Sequence, residues 1–365
     1  MSDRASPVRL HIPSLDGIRC LSFLIVFAAH AGLERVVPGG FGVTVFFFLS
    51  GYLITTLLRL EWQARWTIDM RSFYARRAIR IWPPFYVVLS AATLLAFAGV
   101  AAGHPEARAV AAQAAHVTNY WAMLRGGGGV ASGTGVYWSL AVEEHFYLLF
   151  PWAYWLLCLG VSDRRAQAIV VWGACAAVLA WRIWLVSGGA NADRTYLATD
   201  TRCDSLLFGC AMAIWQNPAL DPPGRVSERA WKFLWAPASA AVLIASFAIR
   251  DPWFRGTLRY TLQGIALGPL FVVAVRFPNW PPLRLLRHPI AAFGGKLSYS
   301  LYLVHHVVLE ALAPALGVSV VRALCALAIS VALAWAVQRL VEVPASRLRS
   351  LLPRTSADAL PARAP

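Results

Sequence analysis

The sequence predicts an all-α protein: a polytopic bundle of about ten transmembrane helices with both termini in the cytoplasm. The first observation is composition, because 58% of the 365 residues are hydrophobic and only 14% are charged, whereas soluble domains carry about 25% charged residues. The second is that apolar stretches of about 20 residues, enough to span a bilayer, recur along the chain. The third is the distribution of arginine between these stretches.

The predicted spans are, in order, 18–36, 41–60, 83–103, 138–160, 166–187, 201–216, 232–249, 258–276, 292–314 and 319–340. They divide the chain into a cytoplasmic N-terminal segment, residues 1–13, a transmembrane domain, residues 14–350, and a tail, residues 351–365. The tail is rich in proline, alanine and arginine, and we expect it to be disordered. The first span contains Arg19 and His30 and is followed by many others, so we do not interpret it as a cleaved signal peptide.

A formal charge of +15 would suit a nucleic-acid partner, but the positions of the arginines favour a membrane protein. Arginine is dense in alternate loops and sparse in the others, as expected when positive loops stay in the cytoplasm. We therefore predict a lipid bilayer as partner and no nucleic acid. The dense loops hold Arg59, Arg65, Arg71, Arg76, Arg77, Arg80, Arg164, Arg165, Arg225, Arg229, Arg284 and Arg287.

The six cysteines are scattered through the apolar spans and lack the paired spacing of metal ligands. Buried, small hydrophobic side chains are the simplest interpretation. We therefore predict neither a metal site nor a disulfide framework.

His30 is an ionisable residue within an apolar span, a position that is costly and usually marks a functional site. Arg19 lies eleven positions earlier, and eleven steps of about 100° return nearly to the same face of a helix, about 16 Å away. If the segment is one helix, a cation near one membrane surface is aligned with a titratable base deeper in the bilayer. Passing a chemical group across a membrane requires such an arrangement.

A basic segment precedes the third span. Arg76 and Arg80 are one helical turn apart and should project together, while Pro83 and Pro84 should stop or kink the helix. Guanidinium groups bind phosphate in a forked geometry, so the segment, including Arg77, predicts a polyphosphate site at the inner surface. Ordinary charge at the inner leaflet is the alternative.

The fourth span begins with polar residues. Ser139, Glu143 and Tyr147 follow each other at intervals of four and share one helix face, which predicts a polar stripe pointing into the bundle. The alternative is that Glu143 and Glu144 only favour a helix N-terminus.

Two further sites remain open from the residues alone. Arg202 and Asp204 begin the sixth span, where they either form ion pairs with neighbours or bind a hydroxylated acceptor. His305 lies in an apolar helix, where it is either a hydrogen-bonded structural residue or part of a functional site.

Taken together, these segments resemble the membrane-bound acyltransferase 3 family from about residue 12 to about residue 348. The resemblance depends on several motifs in a fixed order, none of which is specific alone. They are Leu15 to Arg19 with His30, Phe46 to Leu53, Phe73 with Arg76, Arg77, Arg80 and Pro83, Trp138 to Leu140 with Val142, Glu143, Phe146 and Tyr147, Thr201 and Arg202 with Asp204, Ser298 and Tyr299 with Tyr302, Leu303 and His305, and Val341 and Glu342 with Pro344.

The resemblance implies an O-acyltransferase of the bacterial cytoplasmic (inner) membrane. Such enzymes commonly move acetyl from acetyl-CoA to a hydroxyl of an extracytoplasmic carbohydrate such as lipopolysaccharide O-antigen or exopolysaccharide. We expect His30 and Glu143 to be catalytic and predict no metal. The donor acyl-CoA would bind to Arg19, Arg76, Arg77 and Arg80. The acceptor would bind to Ser139, Tyr147, Arg202, Asp204 and His305.

Our hypothesis is that His30 acts as general base on the acceptor hydroxyl and that Glu143 orients its ring. An acyl-histidine intermediate is the mechanistic alternative. The acceptor is alternatively a small metabolite such as a macrolide. A transporter or flippase is the alternative from another class, although the inverted repeats frequent in transporters are not detectable in the sequence.

Overall fold

The computed structural model describes residues 12–349, and within that range the chain is helical and contains no strand. The predicted all-α membrane bundle is therefore confirmed. Residues 1–11 and 350–365, which hold most of the predicted N-terminal segment and all of the predicted tail, lie outside the described residues.

The helices, numbered in chain order, have the following bounds. They are α1 Pro13–Ala28, α2 Gly39–Arg65, α3 Met70–Phe97, α4 Ala107–Ala114, α5 Thr118–Arg125, α6 Trp138–Gly160, α7 Arg164–Ser187, α8 Ala192–Leu197, α9 Thr199–Arg202, α10 Asp204–Ile214, α11 Glu228–Ala230, α12 Ala236–Ala248, α13 Pro252–Gly256, α14 Leu258–Arg276, α15 Pro289–Leu316, α16 Val320–Val337 and α17 Val343–Arg349. Three π-helical turns extend them, at Ala29–Leu33, Trp231–Trp235 and Gln338–Glu342.

Eight helices among the described residues are long and apolar enough to cross a membrane. Helix α6 has the bounds of the predicted fourth span, 138–160, but is not among these eight. The predicted span 201–216 is shorter than expected, because its regular part, α10, has 11 residues. The total of ten spans and the side on which the termini lie remain predictions.

Helix α3 continues without interruption through Pro83 and Pro84, so of the two predicted outcomes, a stop or a kink, the stop was wrong. Prolines are tolerated in transmembrane helices because neighbouring groups satisfy the backbone around them. Nearby, the hydroxyl of Tyr299 donates to the carbonyl oxygen of Ile81 over 2.9 Å.

The first span is also less regular than predicted. Helix α1 ends at Ala28, and His30 lies on the π-helical turn that follows. Gly32 closes this turn with a φ of 110°, a conformation that favours glycine. Single π-helical turns within helices occur frequently at functional sites.

Glycines allow the central helices to approach closely. Helix α1 packs on α15, and α2 packs on α10. A methyl group on Gly295 would lie 2.0 Å from the backbone oxygen of Asp16, and one on Gly51 would lie 2.0 Å from that of Leu206. Small residues at such crossings are typical of membrane helix packing, and the α1–α15 crossing brings His30 and His305 together.

Candidate active site

His30 contacts a second histidine in the bundle. Its Nδ1 atom lies 3.0 Å from Nε2 of His305, and the two rings are stacked with centroids 5.2 Å apart. His305 is completely buried, whereas His30 is half-buried. His30, which we predicted to be the base, is therefore hydrogen-bonded to His305, which we had expected to bind the acceptor.

The partners of His305 fix where the protons lie. Its Nδ1 atom is 2.9 Å from the carbonyl oxygen of Tyr302 and 3.2 Å from that of Leu301. Carbonyl oxygens only accept hydrogen bonds, so this nitrogen carries the proton. A fully buried imidazolium without a carboxylate partner is costly, which makes His305 neutral and leaves a lone pair on its Nε2. Consequently His30 donates from Nδ1, and its own Nε2 holds a lone pair that can accept a proton.

Glu143 has a different set of neighbours from the one predicted. Its carboxylate accepts a hydrogen bond of 2.8 Å from the hydroxyl of Ser50 on α2 and also interacts with Tyr147 and Arg77. Glu143 therefore joins α2, α3 and α6. His305 holds the position on His30 that we had predicted for Glu143, and a catalytic role of Glu143 remains a prediction.

Three of the predicted donor-binding arginines gather at one end of the bundle. Arg80 is close enough to interact electrostatically with Arg19 and Arg77. Arg77 lies over the ring of Tyr147, 4.6 Å from its centroid, and Arg19 pairs with Asp16 over 3.0 Å. Like charges held together favour binding of an anion, so this arginine cluster of Arg19, Arg77 and Arg80 fits a polyphosphate.

Arg76 has a carboxylate neighbour. Its guanidinium lies 3.9 Å from the carboxylate of Glu61 on α2, and its joint projection with Arg80 and its role in donor binding remain predictions. Asp69 caps the same helix, accepting hydrogen bonds from the backbone and hydroxyl of Ser72. These hydrogen bonds from Ser72 hold the pKa of Asp69 below its usual value.

The C-terminal part of the described chain also reaches the arginine cluster. Glu342, on the last π-helical turn, accepts a hydrogen bond from Ser300 of α15 and interacts electrostatically with Arg80. This carboxylate therefore offsets part of the positive charge.

Ser139 supports the histidine site from α6. Its hydroxyl lies 2.7 Å from the hydroxyl of Tyr302, which also donates to the carbonyl oxygen of Val136 over 3.1 Å. Tyr302 is the residue whose carbonyl oxygen binds His305. Ser139 thus acts on the site through Tyr302, and both hydroxyl groups are buried.

Asp204 pairs with Arg182 over 2.7 Å, and both side chains are completely buried. The ion-pair interpretation, one of the two left open by the sequence, therefore describes Asp204. Arg202 is also completely buried; its guanidinium donates to Thr44 over 3.1 Å and lies 4.0 Å from the ring centroid of Tyr260. Binding of an acceptor to Arg202 or Asp204 remains a prediction.

Sequence reasoning missed two residues beside the histidine pair. His306 lies with its ring centroid 4.5 Å from that of His30, and Glu310 lies one helical turn further along α15, 3.8 Å from His306. Their spacing of four residues was a usable signal. Arg182, within a predicted span, gave no local signal of its ion pair.

The structure thus defines an integral membrane helix bundle with a buried histidine pair and an arginine cluster at one end. The acyltransferase domain family matches residues 12–339, and the chain belongs to that family. The family suspected from the ordered motifs is therefore confirmed.

Three relatives show the same affiliation. The peptidoglycan O-acetyltransferase OatA of Listeria monocytogenes is 27% identical over 354 residues, covering 92% of this chain and 56% of the relative. The O-acetyltransferase OatA of Staphylococcus aureus is 29% identical over 319 residues, covering 82% and 51%. A further relative from S. aureus strain COL is 31% identical over 315 residues, covering 82% and 51%. The chain spans about half the length of these relatives, and no solved structure matches it.

Proposed function

We propose that this protein is an O-acetyltransferase of the bacterial cytoplasmic membrane. It moves an acetyl group from cytoplasmic acetyl-CoA to a hydroxyl of an extracytoplasmic carbohydrate. Family membership and the names of the relatives support acetyl transfer. The observation that carries the proposal is the hydrogen bond from His30 to His305, which leaves the free nitrogen of His30 as a base.

The arginine cluster supports the choice of donor. Coenzyme A carries several phosphates, and arginine forks bind phosphate through paired hydrogen bonds. Arg19 lies on α1 and precedes His30, on the π-helical turn that follows this helix, by eleven residues. We therefore propose that the phosphates bind at Arg19, Arg77 and Arg80 on the cytoplasmic side, and that the thioester extends toward His30.

In the reaction, the acceptor oxygen attacks the carbonyl carbon of the thioester while Nε2 of His30 takes the hydroxyl proton. The carbon–sulfur bond breaks, and coenzyme A leaves as a thiolate. His305 keeps the His30 ring in the required tautomer, a role that a carboxylate fills in serine hydrolases. General-base catalysis of this kind contributes roughly 10²- to 10⁴-fold.

The acceptor class follows from the relatives by analogy. One of them is named as a peptidoglycan O-acetyltransferase, so we propose a glycan with N-acetylhexosamine units as the first acceptor to test. The test uses purified protein with acetyl-CoA and chitopentaose and measures thiol release and the mass of the sugar. We expect both thiol release and a mass increase of one acetyl group. In proteoliposomes of the same protein, sugar flux without thiol release would indicate a transporter and contradict the proposal.

A further inference from the structure

A line of titratable groups leads from His30 to a more exposed part of the protein surface. The ring of His306 packs against that of His30 with centroids 4.5 Å apart, and Nε2 of His306 lies 3.8 Å from the carboxylate of Glu310. Glu310 accepts a hydrogen bond of 3.1 Å from Ser132. The exposed fraction of the side chain rises along this line, from 25% for His306 to 39% for Glu310.

This line leads away from the arginine cluster. Arg19 lies on α1, before the π-helical turn that carries His30, whereas Glu310 lies toward the C-terminal end of α15. The start of α15 follows the 3-10 turn Pro281–Arg287, which packs on α1. The end of α15 that carries Glu310 therefore lies at the opposite end of the bundle from the arginines.

We propose that His306 and Glu310 are the proton outlet of the transferase, which passes the proton of the acceptor hydroxyl from His30 to the solvent opposite the arginine cluster. This inference rests on the proposed function. The proton taken by His30 moves to His306 and then to Glu310 and water. The coenzyme A thiolate takes its proton from solvent at the arginine end, so each transfer consumes a proton on one side and releases one on the other.

The partners of His306 suit this role. Its Nδ1 atom lies 3.3 Å from the carbonyl oxygen of Gly133 and therefore carries a hydrogen, which leaves Nε2 to receive the arriving proton. Four groups act on this ring: His30 and His305, the Glu310 carboxylate, and the Arg322 guanidinium of α16. The carboxylate of Glu310, 3.8 Å from Nε2 of His306, can accept a proton that leaves this ring.

The side of proton release can be measured in proteoliposomes. Chitopentaose and a pH-sensitive dye are enclosed in the lumen, and acetyl-CoA is added outside, so that only molecules with the arginine end outward turn over. We expect the lumen to acidify by a proton for each acetyl ester formed. Ester formation without acidification of the lumen would overturn the proton outlet, and absence of thiol release would overturn it together with the proposed function.

Variants then distinguish a proton-transfer role of His306 and Glu310 from a purely structural one. We expect Glu310→Gln and His306→Gln to slow ester formation by roughly 10-fold. This loss is smaller than the roughly 10²- to 10⁴-fold that loss of a general base itself would cause. Imidazole in the lumen should restore part of the rate, and the pH dependence of kcat should shift. The exposed residues Glu34 and His104 provide matched controls, Glu34→Gln and His104→Gln, which should behave as wild type. Unchanged rates and pH profiles in both relay variants would contradict the inference.

Discussion

The Nδ1 atom of His30 lies 3.0 Å from Nε2 of His305, where α1 crosses α15. Because the other nitrogen of His305 is bound to backbone carbonyl oxygens, the pair has a defined direction of donation. We predict that His305→Ala lowers kcat for acetyl transfer by roughly 10²-fold, because His30 loses the partner that selects its tautomer.

A conservative variant tests whether the hydrogen bond is responsible. A glutamine at position 305 has an amide oxygen that can accept from His30, so His305→Gln should retain more activity than His305→Ala. The measurement is kcat and KM for acetyl-CoA of purified, folded protein. Equal loss in the two variants, or loss confined to KM, would be at odds with an orienting role.

The arginine cluster predicts a binding defect. Removing a charged hydrogen-bond donor costs about 1.5–3 kcal/mol, so Arg80→Ala should raise KM for acetyl-CoA by roughly 10- to 100-fold, with less effect on kcat. Arg71, exposed on the same helix, gives the control Arg71→Ala, which should leave KM unchanged. Similar KM values for both variants would show that the phosphates bind elsewhere.

The cap of α3 predicts a pH-dependent stability. Hydrogen bonds from Ser72 lower the pKa of Asp69, so its stabilisation is present above the unfolded pKa of about 3.9 and is lost as pH falls through the folded pKa. Asp69→Ala should cost about 1 kcal/mol near neutral pH, seen as a lower Tm in detergent. The difference from wild type should shrink in acid, and one that persists there would refute this account. Asp193→Ala, at an exposed carboxylate, is the control.

The crossing of α2 and α10 predicts sensitivity to added volume. A methyl group on Gly209 would lie 2.0 Å from the backbone oxygen of Phe48, whereas one on Gly128 would meet nothing within 4 Å. Gly209→Ala should destabilise the bundle by about 1–3 kcal/mol, and Gly128→Ala should not. Thermal unfolding in detergent compares the two; equal stability would mean that the helices separate without cost.

Much of the helical fold was predictable because the length of an apolar stretch indicates whether a helix can span a bilayer. The bounds of α6 and α14 match the predicted spans 138–160 and 258–276. The π-helical turn under His30 and the passage of α3 through Pro83 were not predictable, because neighbouring helices decide both.

The sequence indicated individual candidate residues of the site but not which of them contact each other. Sequence spacing placed Glu143 and Tyr147 on one helix face, and they do interact. It could not show that His30 would meet His305, 275 positions away, or that Asp204 would pair with Arg182. Such contacts depend on which helices pack together, and one sequence does not report that.

His30→Ala removes the nitrogen that we propose as the base for transfer from acetyl-CoA. The measurement is coenzyme A thiol release and acetyl ester formation by the purified variant, with helical content by circular dichroism as the check on folding. We predict a rate at least roughly 10²-fold below wild type in a protein of unchanged helical content. A folded His30→Ala protein that transfers acetyl at the wild-type rate would contradict the account.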